Sequence, residues 1–288
     1  MWYLISLNLI SVCSFFYCYF NCVNYMSLWF LLELLTVSVI PWFLFGYSFS
    51  SQRSLLCYIV TSVFASFFLV GGVLVCDFLW LFVGLGVFIK LGVFPFMGWA
   101  YGVVCGSNWI SVWFFSGLLK VPFLFILYSF GPDSIFFNIS CFVCFLILSY
   151  NMWKIRVFDW RRCWCHIMLS GSVSLVVVGV CCGSGVVLLF YCVYFIWASL
   201  ALMLFFFLSK PGSVYGWFFV FCYIVVFLSF PFSFAFFYKF FLSWCMLGSG
   251  FFVFSSWCLY TISEQLFLVY VLLGFSKVRL FSGLLSSV

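Results

Sequence analysis

The sequence predicts an all-α, polytopic membrane protein with about ten transmembrane helices, two of them discontinuous. The 288 residues are 68% hydrophobic and only 6% charged, whereas soluble domains carry roughly 25% charged residues. A bilayer admits only helices or closed barrels, because lipid cannot satisfy free backbone groups. Barrel strands would alternate apolar and polar residues, and the long apolar runs here do not. We therefore expect residues 1–288 to form a single helical membrane domain.

Three predicted spans precede the first lysine at membrane depth. The first, Met1–Phe20, lacks the basic start of a cleavable signal and is expected to be a span. The second, about Met26–Phe45, contains Glu33, an acid that is costly in a bilayer unless it is paired or faces water. The loop Gly46–Ser54 then leads to a third span at about Leu55–Cys76.

The fourth predicted span, Phe78–Phe94, holds Lys90 and meets Pro95. Proline removes a helical hydrogen bond, so the helix is expected to kink or break there. From Gly98 onward three glycines recur at every fourth residue and share one helical face. This pattern fits either close packing of small residues or a loosely wound half-helix covered by protein or water.

The fifth predicted span, about Trp109–Tyr128, holds Lys120, and the sixth covers about Ser134–Tyr150 after a turn at 131–133. A basic loop follows, made of Lys154, Arg156, Arg161 and Arg162. The positive-inside rule places this loop on the side from which the chain is inserted.

A second interrupted helix is predicted near the C-terminal end. Spans seven and eight cover about His166–Cys182 and Val186–Leu208. The apolar run from Val214 is too long for one span and contains a proline in its middle, so we predict a helix broken at Ser229–Ser233 with Lys239 on its second half.

The last apolar run leaves two alternatives open. Phe251–Gly274 is either one long tilted span with Glu264 at depth or two segments that meet near Ser263–Gln265. The chain has ten spans in the first case and eleven in the second.

Four charged residues at span depth are the candidate functional site: Glu33, Lys90, Lys120 and Lys239. A lysine at the centre of a bilayer costs about 2.5–3.5 kcal/mol. Burial disfavours the charged form of a lysine and a nearby carboxylate favours it. The four residues are therefore predicted to form a proton relay. The alternative for Glu33 is a purely structural acid, and the alternative for the lysines is that they extend to the lipid headgroups without a further function. The latter behaviour is what we expect of the basic residues Arg53, Lys210, Lys277 and Arg279.

No metal or cofactor site is predicted in this chain. The sixteen cysteines lie scattered in apolar runs, where free cysteine acts as a small hydrophobe. Cys163, Cys165 and His166 lack the four well-spaced ligands of a zinc site. The high hydrophobicity also excludes a soluble enzyme and a nucleic-acid binder.

The segment from Lys90 to Trp99 resembles the KLGxxPFxxW segment of the NADH-ubiquinone oxidoreductase chain 2 family, the antiporter-like subunits of mitochondrial respiratory complex I. Glu33 before an Ile-Pro pair and Lys120 before a proline are similar to that family in order and spacing. Pro231 and Lys239 keep the spacing of its PPLTGFxPK segment. Departures include Met97, where the family usually has histidine, and the loss of the other two prolines of the last segment.

The resemblance implies an antiporter-like fold and a share in proton translocation coupled to electron transfer from NADH to ubiquinone. It implies a multi-pass location in the mitochondrial inner membrane, with the other membrane subunits of complex I and the lipid bilayer as partners. The chain would belong to a proton-translocating NADH:ubiquinone reductase without binding a cofactor itself, since NADH, FMN, Fe–S clusters and ubiquinone belong to the complex.

Two alternative functions remain open at this point. Another antiporter-like subunit, or a free-standing cation/proton antiporter, uses the same chemistry, although such chains carry a histidine-rich continuation that Met97-Gly98-Trp99 lacks. A non-transporting structural membrane subunit belongs to a different class. It would have its lysines facing lipid or snorkelled, so their burial distinguishes the two classes.

Overall fold

The computed structural model describes residues 25–44, 49–74, 79–128, 135–154, 159–209 and 217–285. Every regular element in these ranges is helical, so the predicted all-α class is confirmed for them. The first predicted span, the turn at 131–133, and Arg156 and Lys210 lie outside the described residues. The α-helices are α1 Tyr25–Leu44, α2 Phe49–Leu74, α3 Leu79–Leu91, α4 Gly98–Gly106, α5 Trp109–Ser116, α6 Val121–Tyr128, α7 Ile135–Lys154, α8 Trp160–Cys181, α9 Ser184–Leu208, α10 Trp217–Phe227, α11 Phe234–Met246 and α12 Phe251–Leu285.

Several of these helices are suited to a membrane. Five are long and apolar enough to cross a bilayer, because a span needs about 20 apolar residues. They are Phe49–Leu74, Phe136–Lys154, Trp160–Cys181, Ser184–Leu208 and Phe251–Gly274. Apart from α1, which has 20 residues, the other apolar helices of the described ranges are shorter, and several of them are halves of an interrupted run.

Helix α8 is the central helix of the fold. All its side chains from Cys163 to Val180 are buried, with α4, α6, α7, α9 and α11 packed around it. Small residues allow this close approach: a Cβ on Gly171 would lie 2.7 Å from Tyr194, and one on Gly179 would lie 2.8 Å from Leu127. The backbone and small polar side chains of α8 are therefore available to several helices at once.

Helix α2 points small and polar residues inward and large apolar residues outward. Its buried face includes Ser51, Ser54 and Ser62, whereas Phe64 and Phe67 are exposed. This face lies against α3 and α4 and suits a helix surrounded by lipid, where small residues mediate helix contacts.

The predicted loop Gly46–Ser54 was too long, because α2 begins at Phe49. Ser54 is buried and donates from Oγ to the Gly102 carbonyl at 3.1 Å. A Cβ on Gly106 would clash with the Ser54 hydroxyl. The glycine pattern of α4 thus serves close packing at Gly106, and the segment 98–106 is itself a regular helix.

The C-terminal run is one helix in the structure. Helix α12 continues from Phe251 to Leu285 without interruption at residues 263–265. Glu264 is buried within it. The alternative of two segments meeting at Ser263–Gln265 was therefore wrong.

Candidate functional site

Lys90 lies in the last turn of α3, where the helix ends at a glycine. Gly92 has φ +70°, a left-handed conformation that glycine adopts readily at helix ends. Its N–H donates to the Ile89 carbonyl at 3.2 Å, and Trp99 Nε1 donates to the same oxygen at 2.9 Å. The ammonium therefore sits at a helix C-terminus, an end of the helix dipole that favours a cation.

Glu33 and Lys90 are brought together by α1 and α3. Lys90 Nζ donates to Glu33 Oε1 at 3.3 Å and to Ser62 Oγ on α2 at 2.7 Å. The Lys90 side chain is only 6% exposed, whereas that of Glu33 is 28% exposed. Thr36 donates to the Glu33 carboxylate at 3.3 Å. Two of the four predicted site residues thus form a hydrogen-bonded ion pair.

Lys120 lies directly after a helix interruption that the sequence analysis did not predict. Helix α5 ends at Ser116, Gly117 adopts φ −107° and ψ −83°, and residues 118–120 form a 3-10 turn before α6. Pro122 cannot donate the N–H that a continuous helix would direct to Leu118. The predicted fifth span is therefore two helices joined by a distorted turn.

The partners of Lys120 are uncharged. Its Nζ donates to the Met168 carbonyl on α8 at 3.0 Å and to the Tyr194 hydroxyl on α9 at 2.9 Å. The residue is 3% exposed, and no carboxylate of the described ranges forms an ion pair with it. Gly171 permits this arrangement, because any Cβ there would meet the Tyr194 ring.

Two tyrosines of α9 also satisfy the backbone of the interruption. Tyr194 OH donates to the Ser116 carbonyl at 3.1 Å, and Tyr191 OH donates to the Gly117 carbonyl at 3.2 Å. The Gly117 carbonyl also accepts from Lys120 N at 3.0 Å, so the tyrosine hydroxyls add to the hydrogen bonding of the distorted turn. Tyr194 therefore accepts a hydrogen bond from Lys120 and donates one to the broken helix.

The predicted break before Lys239 is occupied by six non-helical residues between α10 and α11. Gln265 on α12 holds its α10 end: the side-chain Oε1 accepts from Ser229 N at 3.1 Å, and Nε2 donates to the Phe227 carbonyl at 3.3 Å. Ser233 then caps α11 by accepting from Phe236 N at 3.0 Å.

Lys239 pairs with an acid whose role the sequence analysis left open. Its Nζ lies 3.1 Å from Glu264 Oε1, and the side chains are 13% and 6% exposed. The contact is an ion pair, and the buried Lys239 Nζ makes no hydrogen bond with a described residue. The Glu264 carboxylate is thus the counter-ion of Lys239.

The first two lysines contribute to the lining of one small cavity. Lys90 and Lys120 both line it, together with the hydroxyl-bearing Thr36, Ser62 and Thr61. Its volume is about 20 Å³, enough for one water molecule. Lys239 lies in a different place, against another cavity beside α8.

Sequence reasoning did not identify three side chains that hold the lysines: Ser62, Tyr194 and Glu264. Serine and tyrosine in an apolar run give no local signal of their partners. Glu264 did give one, since an acid at span depth is rare. Among the described side chains there is no cluster of three or more His, Cys, Asp or Glu that could hold a metal ion.

No protein-family model and no curated protein matches this chain.

Proposed function

We propose that this chain is a proton-translocating membrane subunit of mitochondrial respiratory complex I, of the chain 2 type. It would have about ten spans in an antiporter-like fold, lie in the inner membrane among the other membrane subunits, and bind no cofactor of its own. Glu33, Lys90, Lys120 and Lys239 are the proton-carrying residues in this proposal. The transfer of electrons from NADH to ubiquinone belongs to the complex.

The observation that carries the proposal is the cavity shared by Lys90 and Lys120. One lysine is paired with Glu33, and the other has only hydroxyl and carbonyl partners. A carboxylate favours the charged form of a lysine, whereas burial without a counter-ion favours the neutral form. Neighbouring lysines in such different surroundings hold a proton with different strengths, which is what a relay step needs.

Burial of the lysines supports transport over a purely structural role. A structural membrane subunit is expected to have its lysines snorkelled to the headgroups or facing lipid. Lys120 is 3% exposed, and the Lys90 side chain is 6% exposed. Ionisable residues buried at membrane depth are costly and typically mark ion or proton pathways.

Substitution of Lys90 by methionine in the assembled complex tests the proposal. Methionine keeps most of the length of the side chain and removes the charge, so we expect NADH-driven proton pumping to fall sharply. Lys154→Met is the matched control, because Lys154 is exposed at the end of α7. Proton pumping that is unchanged in Lys90→Met, at equal amounts of assembled complex, would contradict the proposal.

A further inference from the structure

The ion pair of Lys239 and Glu264 borders two cavities, one small and enclosed and the other larger and open. The enclosed one is lined by Lys239 and Glu264, by Tyr238, and by Ser170 and Ser174 of the central helix. Its volume is about 20 Å³, enough for one water molecule. Glu264 therefore faces hydroxyl groups that belong to the same helix as the Met168 carbonyl bound by Lys120.

The other cavity opens at the protein surface. It has a volume of about 440 Å³ and lies beside the break between α10 and α11. Lys239 lines it as well, with polar side chains from Ser229, Ser243, Thr261 and Gln265. Lys239 thus borders both cavities, whereas Glu264 borders only the enclosed one.

Glu264 is held in place by its neighbour along the chain. Gln265 is bonded to the backbone of Phe227 and Ser229 at the α10 end of the break, so the turn of α12 that carries Glu264 is tied to the end of α10. Ser233 caps α11 at the other end of the same break, and Lys239 on α11 lies 3.1 Å from Glu264 on α12.

We propose that Glu264 is a fifth proton-carrying residue, which passes the proton between Lys239 and the enclosed cavity against the central helix. This inference rests on the proposed function. It adds a residue of α12 to the relay. Lys239 then has a carboxylate partner, as Lys90 has in Glu33.

Proton transfer from Lys239 to Glu264 needs only water as the proton acceptor and hydronium as the proton donor. The Lys239 ammonium gives one proton to Glu264 Oε1, leaving an amine and a carboxylic acid. A water molecule in the enclosed cavity then takes the proton from Glu264 and restores the carboxylate. A hydronium ion in the open cavity returns a proton to the amine, and the reverse sequence moves a proton the other way.

The test compares Glu264→Gln with Glu264→Asp in native membrane vesicles, with proton pumping normalised to assembled complex. Glutamine has nearly the same shape as glutamate but carries no proton, so we expect a drop of about tenfold or more, as for loss of a general acid–base group. Aspartate keeps the carboxyl group and should retain a substantial part of the activity. Ser255→Ala is the control, because that half-buried serine on the same helix bonds to the Phe252 carbonyl.

Normal pumping per assembled complex in Glu264→Gln would overturn the inference. If that variant fails to assemble, infrared difference spectra during turnover decide the question. The proposal requires a protonated-carboxyl signal in the wild-type protein that shifts in Glu264→Asp, and a spectrum in which no such signal shifts would overturn it. Lys90→Met in the same vesicles separates the two hypotheses, since the proposed function fails only if that variant pumps normally.

Discussion

Lys90 and Lys120 line one cavity, yet only Lys90 has a carboxylate partner among the described residues. Lys120 is held instead by the Met168 carbonyl and the Tyr194 hydroxyl. The two lysines therefore share a cavity, but one is paired with a negative charge and the other has only uncharged partners. The contacts that create this difference come from Ser62 at Lys90 and from Tyr194, placed beside Gly171, at Lys120.

Ser62→Ala removes the shortest contact of Lys90, the 2.7 Å bond from its Nζ to the serine hydroxyl. Hydrogen bonds to charged groups contribute about 1.5–3 kcal/mol, so we expect lower thermal stability and slower proton translocation. Ser66→Ala is the control, since that half-buried serine on the same helix bonds only to the Val63 carbonyl. Equal unfolding temperatures and equal rates of proton translocation in the two variants would show that Ser62 does not hold Lys90.

Tyr194→Phe should impair proton translocation more than Tyr191→Phe. The first change removes the hydroxyl that contacts Lys120 and the Ser116 carbonyl, whereas the second removes only a bond to the Gly117 carbonyl. Each loss should lower stability by about 0.5–1.5 kcal/mol. Proton pumping and thermal unfolding of the same preparations separate the two effects, and equal pumping in both variants would contradict a role for Tyr194 at Lys120.

Gly171→Ala should displace the Tyr194 ring from Lys120. The new Cβ would lie 2.7 Å from Tyr194 Cε2, and overpacking of this kind costs about 1–3 kcal/mol. We expect a lower unfolding temperature and weaker proton pumping. Gly185→Ala is the control, because nothing lies within 4 Å of a Cβ there. A Gly171→Ala protein as stable as the control would mean that α8 and α9 are not packed this closely.

Gln265→Leu should loosen the break between α10 and α11. It leaves Ser229 N and the Phe227 carbonyl without their side-chain partner, and an unsatisfied buried group costs about 1–3 kcal/mol. Hydrogen exchange measured by mass spectrometry should become faster in the segment 228–233. Ser255→Ala on the same helix should leave that exchange rate unchanged. Unaltered exchange in Gln265→Leu would show that the break is held by other contacts.

The positions of Glu33, Lys90, Lys120 and Lys239 could be predicted from the sequence, because a charge in a long apolar run is a local feature. The break before Lys239 was also predicted at nearly its observed position, since Pro231 removes a helical hydrogen bond in the middle of an apolar run too long for one span. The interruption at Gly117 was missed. It depends on tyrosines of α9 that satisfy its carbonyls, and these lie more than seventy residues away.

By itself the sequence determined the helical membrane class and the charges buried in it, because both follow from local hydropathy and from the cost of free backbone groups in lipid. Only the tertiary structure decided the partners: Glu33 for Lys90, Glu264 for Lys239, and no carboxylate of the described residues for Lys120. The reason is that most of these helices are apolar all round. Such helices have no polar face that predicts which neighbours meet, so partners depend on how closely small residues let the helices pack.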